Sequence, residues 1–369
     1  MASPDSYAWP TGLVFFFATI VISLLINKLF LRFVSTLGIR NNNDGTIIRW
    51  GSQSKPSVGG FSFYIIFLLS IITYSILFDS NQVFLNREFI GLLLATLLGF
   101  MLGLTDDAYN TRPLLKFLTQ VACGFILLYT GNKITFSYVE PINIFITVFW
   151  VVGIMNSLNM LDNMDAITAI VSISIILSAL GIAVIREEQN SVYFIILLGS
   201  LGSLVGFLYF NWHPSKMYMG DTGSQFLGVL LAAIGIRFFW NVDAPTGEMI
   251  SARNLLLPMI AFLMPIIDTT CVVVNRIMKG KSPFVGGKDH TTHALAYRGL
   301  SDNKVAWVFG GIALLSFIVI LFIEKYVPDW THSYTIIFTI FFLVFFLFFF
   351  RATRQADARK SRLAEEKED

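Results

Sequence analysis

The chain has 369 residues, a formal net charge of +2, a mean hydropathy of +0.69 and 14% charged residues. Soluble domains carry about 25% charged residues, so this composition excludes an ordinary soluble enzyme and gives no sign of a nucleic-acid partner. Apolar runs of about 18 residues or more recur along the whole length, which indicates a polytopic membrane protein.

The apolar runs predict an all-α membrane protein with about eleven transmembrane helices. The first run lacks a basic leading segment and a small-residue cleavage pattern, so it predicts a retained helix and not a signal peptide. The predicted spans are 11–35, 58–79, 88–105, 114–130, 140–160, 165–185, 191–210, 223–241, 254–274, 305–324 and 333–350. They form one integral membrane domain, residues 1–350, followed by a charged cytoplasmic tail, residues 351–369.

Lys and Arg residues set the predicted orientation, because cytoplasmic loops carry an excess of them. Most basic residues follow the odd-numbered spans or lie in the tail. The opposite loops hold only Arg87, Lys133, Arg186, Arg237, Arg253 and Lys325. The N-terminus is therefore predicted to lie outside, and the C-terminus in the cytoplasm.

Four polar stretches fall on the predicted cytoplasmic side. They are the pair Asp106 and Asp107, NSLNMLDNMDAI at 156–167, MGDTGS at 219–224, and KGKSPFVGGKDHTTHALAYRGLS at 279–301. Acidic side chains at membrane depth cost about 2.5–3.5 kcal/mol each on insertion scales. Their collection on one face favours a shared ligand over chance.

Asp106 and Asp107 end a hydrophobic helix, where adjacent carboxylates suit a divalent cation such as Mg²⁺, or a proton. The alternative is a solvated acid pair at a helix end. Lys116 opens the next span and is expected to pair with Asp107 or with a phosphate.

The stretch 156–167 places Asn156 with Asn159, and Asp162 with Asp165, at helical i, i+3 spacing. Two like charges on one face repel unless a cation or a donor lies between them. The alternative is an N-terminal cap for the following span. In MGDTGS, the flanking glycines leave room for an ion at Asp221, which makes it the best single candidate for a metal ligand.

The loop at 279–301 and its flanks are rich in basic residues, which suits a diphosphate or, alternatively, anionic lipid. Arg276, His290 and His293 are its candidate ligand-binding residues, and Lys55 in KPSVGG is a candidate from an earlier loop. The histidine pair lacks the further ligands of a closed zinc site, so phosphate binding or proton transfer is favoured. Asp268, inside a span, is expected to pair with a basic residue or to support the site.

A carboxylate cluster, a cationic loop and a lipid-exposed body suit phosphoryl transfer, which needs positioning, a metal and cationic donors. The residues alone therefore predict transfer of a phosphate-containing group onto or from a membrane lipid. The alternative from another class is an ion-coupled transporter, with the aspartates as coupling sites.

Five motifs follow one another along the chain: KPSVGG, the Asp pair with Lys116 and Gln120, the NxxNxxD block, MGDTGS and the late histidine loop. In that order they resemble the polyprenyl-phosphate N-acetylhexosamine-1-phosphate transferases. The resemblance implies transfer of a sugar-1-phosphate from a UDP-sugar to undecaprenyl phosphate in the bacterial inner membrane, with Mg²⁺ or Mn²⁺ and release of UMP. It covers most of the chain and is closest to the N-acetylglucosamine branch; the muramoyl-pentapeptide branch is the alternative, and a homodimer is left open.

The resemblance also implies residue roles. Asp106 and Asp107 match the catalytic aspartate pair, and Asp107 is also expected to be a metal ligand. Asn159, Asp162 and Asp165 match the second motif, whose two acids are expected to be catalytic. Asp221 matches the metal ligand. His290 and His293 match the diphosphate-binding histidines, while Lys55, Lys116, Asn156 and Arg276 complete the expected substrate contacts.

The chain departs from the family pattern at four positions. Asn163 and Ala166 replace two glycines, Thr292 replaces a histidine, and Ala294 replaces an arginine. These departures affect the expected diphosphate contacts and leave the acids in place.

Overall fold

The structure is a computed structural model that describes residues 5–37, 55–77, 86–242, 252–282 and 287–365. Within those ranges the chain folds into thirteen α-helices, with one isolated parallel bridge between Ser57 and Tyr218. The helices are α1 (Asp5–Leu37), α2 (Gly59–Leu77), α3 (Arg87–Tyr109), α4 (Pro113–Thr130), α5 (Glu140–Leu161), α6 (Ile167–Ile185), α7 (Val192–Asn211), α8 (Gly220–Gly235), α9 (Ala252–Ala261), α10 (Leu263–Met278), α11 (Thr291–Tyr297), α12 (Asp302–Tyr326) and α13 (His332–Glu365).

Ten candidate spans in the described ranges are long and apolar enough to cross a membrane. α9 and α10 give an eleventh if they are counted as one broken span. The predicted all-α fold with about eleven spans is therefore confirmed. The side on which each terminus lies stays a prediction.

The break between α9 and α10 bends the chain by 86°. Pro265 lies in the first turn of α10, and proline has no N–H to donate to the carbonyl four residues earlier, that of Ala261. Its ring also crowds that carbonyl, so α9 ends at Ala261 and the chain turns at Phe262. The single span predicted over 254–274 is thus two helices.

α8 is the central helix of the bundle. In the most apolar part of α8 and its π-helical extension Ile236–Trp240, 94% of the residues are buried, compared with 17% in that of α13. Its glycines and alanines let neighbouring helices approach its backbone, as is usual in membrane bundles. Trp150 of α5 fixes one such approach by donating its indole N–H to the Ala232 carbonyl at 3.0 Å.

The segment predicted as a charged tail continues α13 as far as Glu365. Ala352 and Ala356 of this extension pack against Ala294 of α11. Nearby, the Asn275 amide donates to the Thr353 hydroxyl at 2.9 Å. The beginning of the tail therefore supports the short helix that follows the histidine loop.

Candidate active site

The N-terminus of α8 is capped by a side chain from another helix. Asp107, at the end of α3, accepts the Asp221 N–H on Oδ1 at 3.0 Å. Its Oδ2 accepts the Thr222 N–H at 2.8 Å and the Thr222 hydroxyl at 2.6 Å. Helix N-termini favour such anionic caps. Asp107 therefore holds Asp221, in the first turn of α8, next to the C-terminal end of α3.

Asp106 faces a different set of partners. Its Oδ1 accepts the Thr111 N–H at 2.9 Å and the Thr111 hydroxyl at 2.8 Å, and its Oδ2 forms an ion pair with Lys116 of α4. The carboxyl group also lies within hydrogen-bonding reach of Asp221. The structure thus brings Asp106, Lys116 and Asp221 together. Lys116 pairs with Asp106, and not with Asp107 as one of the two expectations had it.

Asp221 is the acid that fits a metal ion best. Asn159 of α5 donates to its Oδ1 and also to the Ser224 hydroxyl at 3.0 Å. Its other neighbour is the Asp106 carboxylate, and two like charges in contact repel unless a cation lies between them.

The described residues contain no group of three or more His, Cys, Asp or Glu side chains arranged around one metal position. Mg²⁺ commonly takes one or two carboxylates and completes its shell with water and substrate phosphates. The hard carboxylate oxygens of Asp221 fit that chemistry.

Hydrogen bonds between amide side chains join three helices close to this acid cluster. The Asn156 amide donates to Gln120 Oε1 at 2.7 Å, and Gln120 Nε2 donates to Gln225 Oε1 at 3.1 Å. α5, α4 and α8 are joined at this level. The Asn156 side chain therefore bonds to Gln120 in this structure. Its predicted contact with the substrate stays a prediction.

Two glycines allow the backbones to meet at the start of α8. A Cβ atom on Gly103 of α3 would lie 2.2 Å from the Asp221 carbonyl oxygen. A Cβ atom on Gly60 of α2 would lie 2.3 Å from the Gly223 nitrogen. Only glycine permits these approaches, so the acids meet because the helix ends touch.

We expect Gly103→Ala to push α3 away from α8 and to lower the free energy of unfolding by about 1–3 kcal/mol. Activity should fall with it, because the Asp107 cap moves. The matched control is Gly311→Ala in α12, where an added Cβ would contact nothing within 4 Å. Thermal unfolding in detergent measures both variants; equal melting temperatures would contradict the predicted clash.

Asp165 lies in a second cluster with Lys55. Its carboxylate accepts the Ser215 N–H at 3.0 Å and the Ser215 hydroxyl at 2.7 Å, and it lies 2.9 Å from His213 Nδ1. Lys55 Nζ lies 3.8 Å from Asp165 and donates to the Ser215 hydroxyl at 3.0 Å. The cluster holds the loop before α8 in place.

Four acids use the same local arrangement. Each accepts both the backbone N–H and the hydroxyl of one Ser or Thr, in the pairs Asp106–Thr111, Asp107–Thr222, Asp165–Ser215 and Asp268–Thr291. A carboxylate saturated in this way stabilises a turn or a helix start. Unlike these four acids, Asp221 accepts no such pair of bonds in the described part of the chain, so its carboxylate keeps more capacity for a ligand.

The histidine helix α11 is held by the buried Asp268 of α10. Asp268 lies 2.9 Å from His290 Nδ1 and accepts the Thr291 N–H at 2.7 Å. The expectation that Asp268 pairs with a basic residue is met by His290. This contact turns the other ring nitrogen, Nε2, away from Asp268.

His293 packs against His290 with the ring centroids 5.4 Å apart. Burial, reinforced by the neighbouring His290, lowers the pKa of His293 to about 3, so its ring is neutral at physiological pH. A neutral imidazole can donate or accept a hydrogen bond, but it brings no charge to a diphosphate.

Arg276 forms a bidentate pair with Asp289, at 2.8 and 2.7 Å. Burial by itself would raise the pKa of Asp289. The guanidinium of Arg276 outweighs this effect and holds that pKa below its ordinary value. The pair anchors the loop before the histidines, of which residues 283–286 lie outside the described ranges. Substrate binding by Arg276 stays a prediction.

The end of α5 carries the remaining predicted acid. Asp162 lies directly after α5, where its N–H donates to the Leu158 carbonyl at 3.1 Å. Asn163 follows it and accepts a hydrogen bond from Thr292. Ala166 has φ +68°, a conformation that favours glycine, the residue of the family pattern.

Sequence reasoning missed two residues of this region, His213 and Ser215. His213 is one of only four histidines and stands shortly before MGDTGS, which was an available signal. The role of Ser215 depends on Asp165, 50 residues away, and nothing local indicates it. Thr222 was expected near the start of the following helix, but its partner Asp107, 115 residues away, was not predicted.

Comparison with known proteins agrees with this geometry. Residues 89–239 match the sequence profile of glycosyl transferase family 4. A probable undecaprenyl-phosphate N-acetylglucosaminyl 1-phosphate transferase of Bacillus subtilis strain 168 is 26% identical over 278 residues, covering 72% of this chain and 73% of that protein. A decaprenyl-phosphate N-acetylglucosaminephosphotransferase of Mycolicibacterium smegmatis is 25% identical, covering 72% and 71%. A phospho-N-acetylmuramoyl-pentapeptide-transferase of Carboxydothermus hydrogenoformans is 29% identical, covering 72% and 84%.

The matched region, from α3 to the end of α8, carries both acids of the pair, Asn159 and Asp221. The profile, the relatives and the meeting of these side chains at one end of a helical membrane bundle lead to one conclusion. Over residues 89–239, the chain is similar to glycosyl transferase family 4.

Proposed function

We propose that this protein transfers N-acetylglucosamine-1-phosphate from a UDP-sugar to undecaprenyl phosphate, releasing UMP and starting a lipid-linked envelope glycan. The observation that carries the proposal is the contact of Asp221 with Asp106 beside Lys116, at the end of a membrane bundle. The names of the Bacillus and Mycolicibacterium relatives support N-acetylglucosamine phosphate as the transferred group and a polyprenyl phosphate as the acceptor. A bacterial cytoplasmic membrane location belongs to the same proposal.

Mg²⁺ is the proposed cofactor, held by Asp221, because Thr111 and Lys116 already occupy the two oxygens of Asp106. When bound, it would neutralise phosphate charge as the phosphoryl group transfers. Asp107 was the other predicted ligand, but three donors from α8 already occupy its two oxygens. Its role in the proposal is to fix the start of α8, and thereby Asp221.

The reaction joins an oxygen of the lipid phosphate to the phosphorus that carries the sugar, and the bond from that phosphorus to UMP breaks. Lys116 lies beside the acids and supplies a positive charge for the acceptor phosphate. His290 and His293 offer ring nitrogens for hydrogen bonds to the donor diphosphate. No general base is needed if the phosphate dianion attacks directly; otherwise Asp162 at the end of α5 is the candidate.

The test is transfer of radiolabelled sugar phosphate by purified protein given undecaprenyl phosphate, Mg²⁺ and UDP-N-acetylglucosamine. We expect labelled lipid and UMP in equal amounts, lost on adding EDTA and restored by excess Mg²⁺. Activity unaffected by EDTA would contradict the metal proposal.

Other donors separate the alternatives in the same assay. Product only from UDP-muramoyl-pentapeptide would support the branch named for the Carboxydothermus relative. No product from any UDP-sugar would overturn the transferase proposal and favour an ion-coupled transporter.

A further inference from the structure

Two of the departures from the family pattern contact each other. The Thr292 hydroxyl donates to Asn163 Oδ1 at 2.5 Å, although the residues are 129 positions apart. The Asn163 amide nitrogen donates to the Met160 carbonyl at 2.8 Å. Since both ends of the Asn163 amide have partners, the hydrogen bonds fix its orientation.

Thr292 is completely buried, so its hydroxyl faces the protein and not a ligand. The two residues before it, His290 and Thr291, both contact Asp268. The start of α11 is therefore held from two sides, by α10 through Asp268 and by the end of α5 through Asn163.

The end of α5 contacts both halves of the candidate site. Asn159 donates to Asp221, and Asn163, four residues later, accepts from Thr292 of the histidine helix. Without the second contact, Asp268 would still orient His290, but α11 would lose this direct link to the acids. The distance between the histidines and Asp221 would then be less well fixed.

We propose that Asn163 and Thr292 are a positioning pair that holds His290 and His293 at the distance from Asp221 that the donor diphosphate requires. This inference rests on the proposed function. It predicts that the pair acts on binding of the sugar nucleotide and not on binding of the lipid.

The experiment is a double-mutant cycle with Thr292→Val, which keeps the shape and removes the hydroxyl, and Asn163→Ala. We expect each single variant to raise the KM for UDP-N-acetylglucosamine about tenfold, with the KM for undecaprenyl phosphate unchanged. The double variant should resemble the single ones, because both remove the same contact. Thr292→Ser keeps the hydroxyl and should restore the KM.

The matched control is Ser174→Ala, which removes a buried hydroxyl bond of 2.6 Å to the Ala313 carbonyl between α6 and α12. We expect it to lower the melting temperature without changing either KM. Additive effects in the cycle, or equal rises in both KM values, would overturn the positioning pair.

A binding measurement without the acceptor separates this inference from the proposed function. UDP-N-acetylglucosamine should raise the melting temperature of the wild type more than that of Thr292→Val. If UDP-N-acetylglucosamine stabilises the wild type more than Thr292→Val but the wild type transfers no sugar phosphate, the proposed reaction is wrong and the positioning role stands. If the wild type transfers sugar phosphate and both proteins gain the same stability, the positioning pair is wrong.

Discussion

Asp221→Asn should lower sugar-phosphate transfer by at least about a hundredfold while leaving the protein as stable as the wild type, or more so. Asparagine keeps the Oδ1 acceptor for Asn159 but loses the charge that a metal ion needs. It also removes the repulsion between Asp221 and Asp106. Labelled-lipid formation and thermal unfolding, measured on one preparation, test both parts.

Asp107→Ala is the informative comparison, because the structure gives this neighbouring acid a different task. It removes the acceptor of three hydrogen bonds at the start of α8, so stability should fall by about 1–2 kcal/mol together with activity. If Asp221→Asn proved the less stable protein, or kept near-normal transfer, Asp221 would not be the ligand proposed here.

The difference between these acids shows what the sequence could predict. Hydrophobic runs gave the spans because each apolar stretch of membrane length must be a helix. Motif order placed Asp106, Asp107 and Asp221 in one candidate site, and the structure brings them together at the ends of α3 and α8.

The partner of each acid could not be predicted. Asp107, Asp165 and Asp268 bind backbone N–H groups of segments 115, 50 and 23 residues away. Such contacts depend on which helix ends meet, and this depends on close approaches like that of Gly103 to Asp221. The break at Phe262 was missed for a local reason, since Pro265 was visible but proline is common within membrane helices.

Glu324→Gln is the second large effect that we expect, on stability and not on catalysis. Glu324, near the end of α12, accepts Arg186 Nε at 2.7 Å and an Arg253 guanidinium nitrogen at 3.0 Å. The side chains of Glu324 and Arg253 are only 7% and 8% exposed. Neutralising the glutamate removes the negative charge between the buried Arg253 and Arg186, which is 24% exposed. This should lower the free energy of unfolding by about 3 kcal/mol.

The matched control is Glu140→Gln, which breaks the ion pair of Glu140 with Lys133 at 2.8 Å. The two side chains of that pair are 56% and 32% exposed, so solvent screens the pair and its contribution to stability is small. The variants thus remove the same chemical group at a similar distance and differ in burial. Unfolding in detergent should separate them clearly, and similar small losses would show that water reaches Glu324.

Activity per folded molecule should stay unchanged in Glu324→Gln, because the acid site lies at the other end of the bundle. α12 begins at Asp302, which lies 3.7 Å from His213 in the cluster of Asp165, and Glu324 is six helical turns further on. A variant that lost stability and kept its turnover would separate the ion network from catalysis. A loss of turnover in the fully folded variant would instead require coupling along α12, which the contacts at its two ends do not predict.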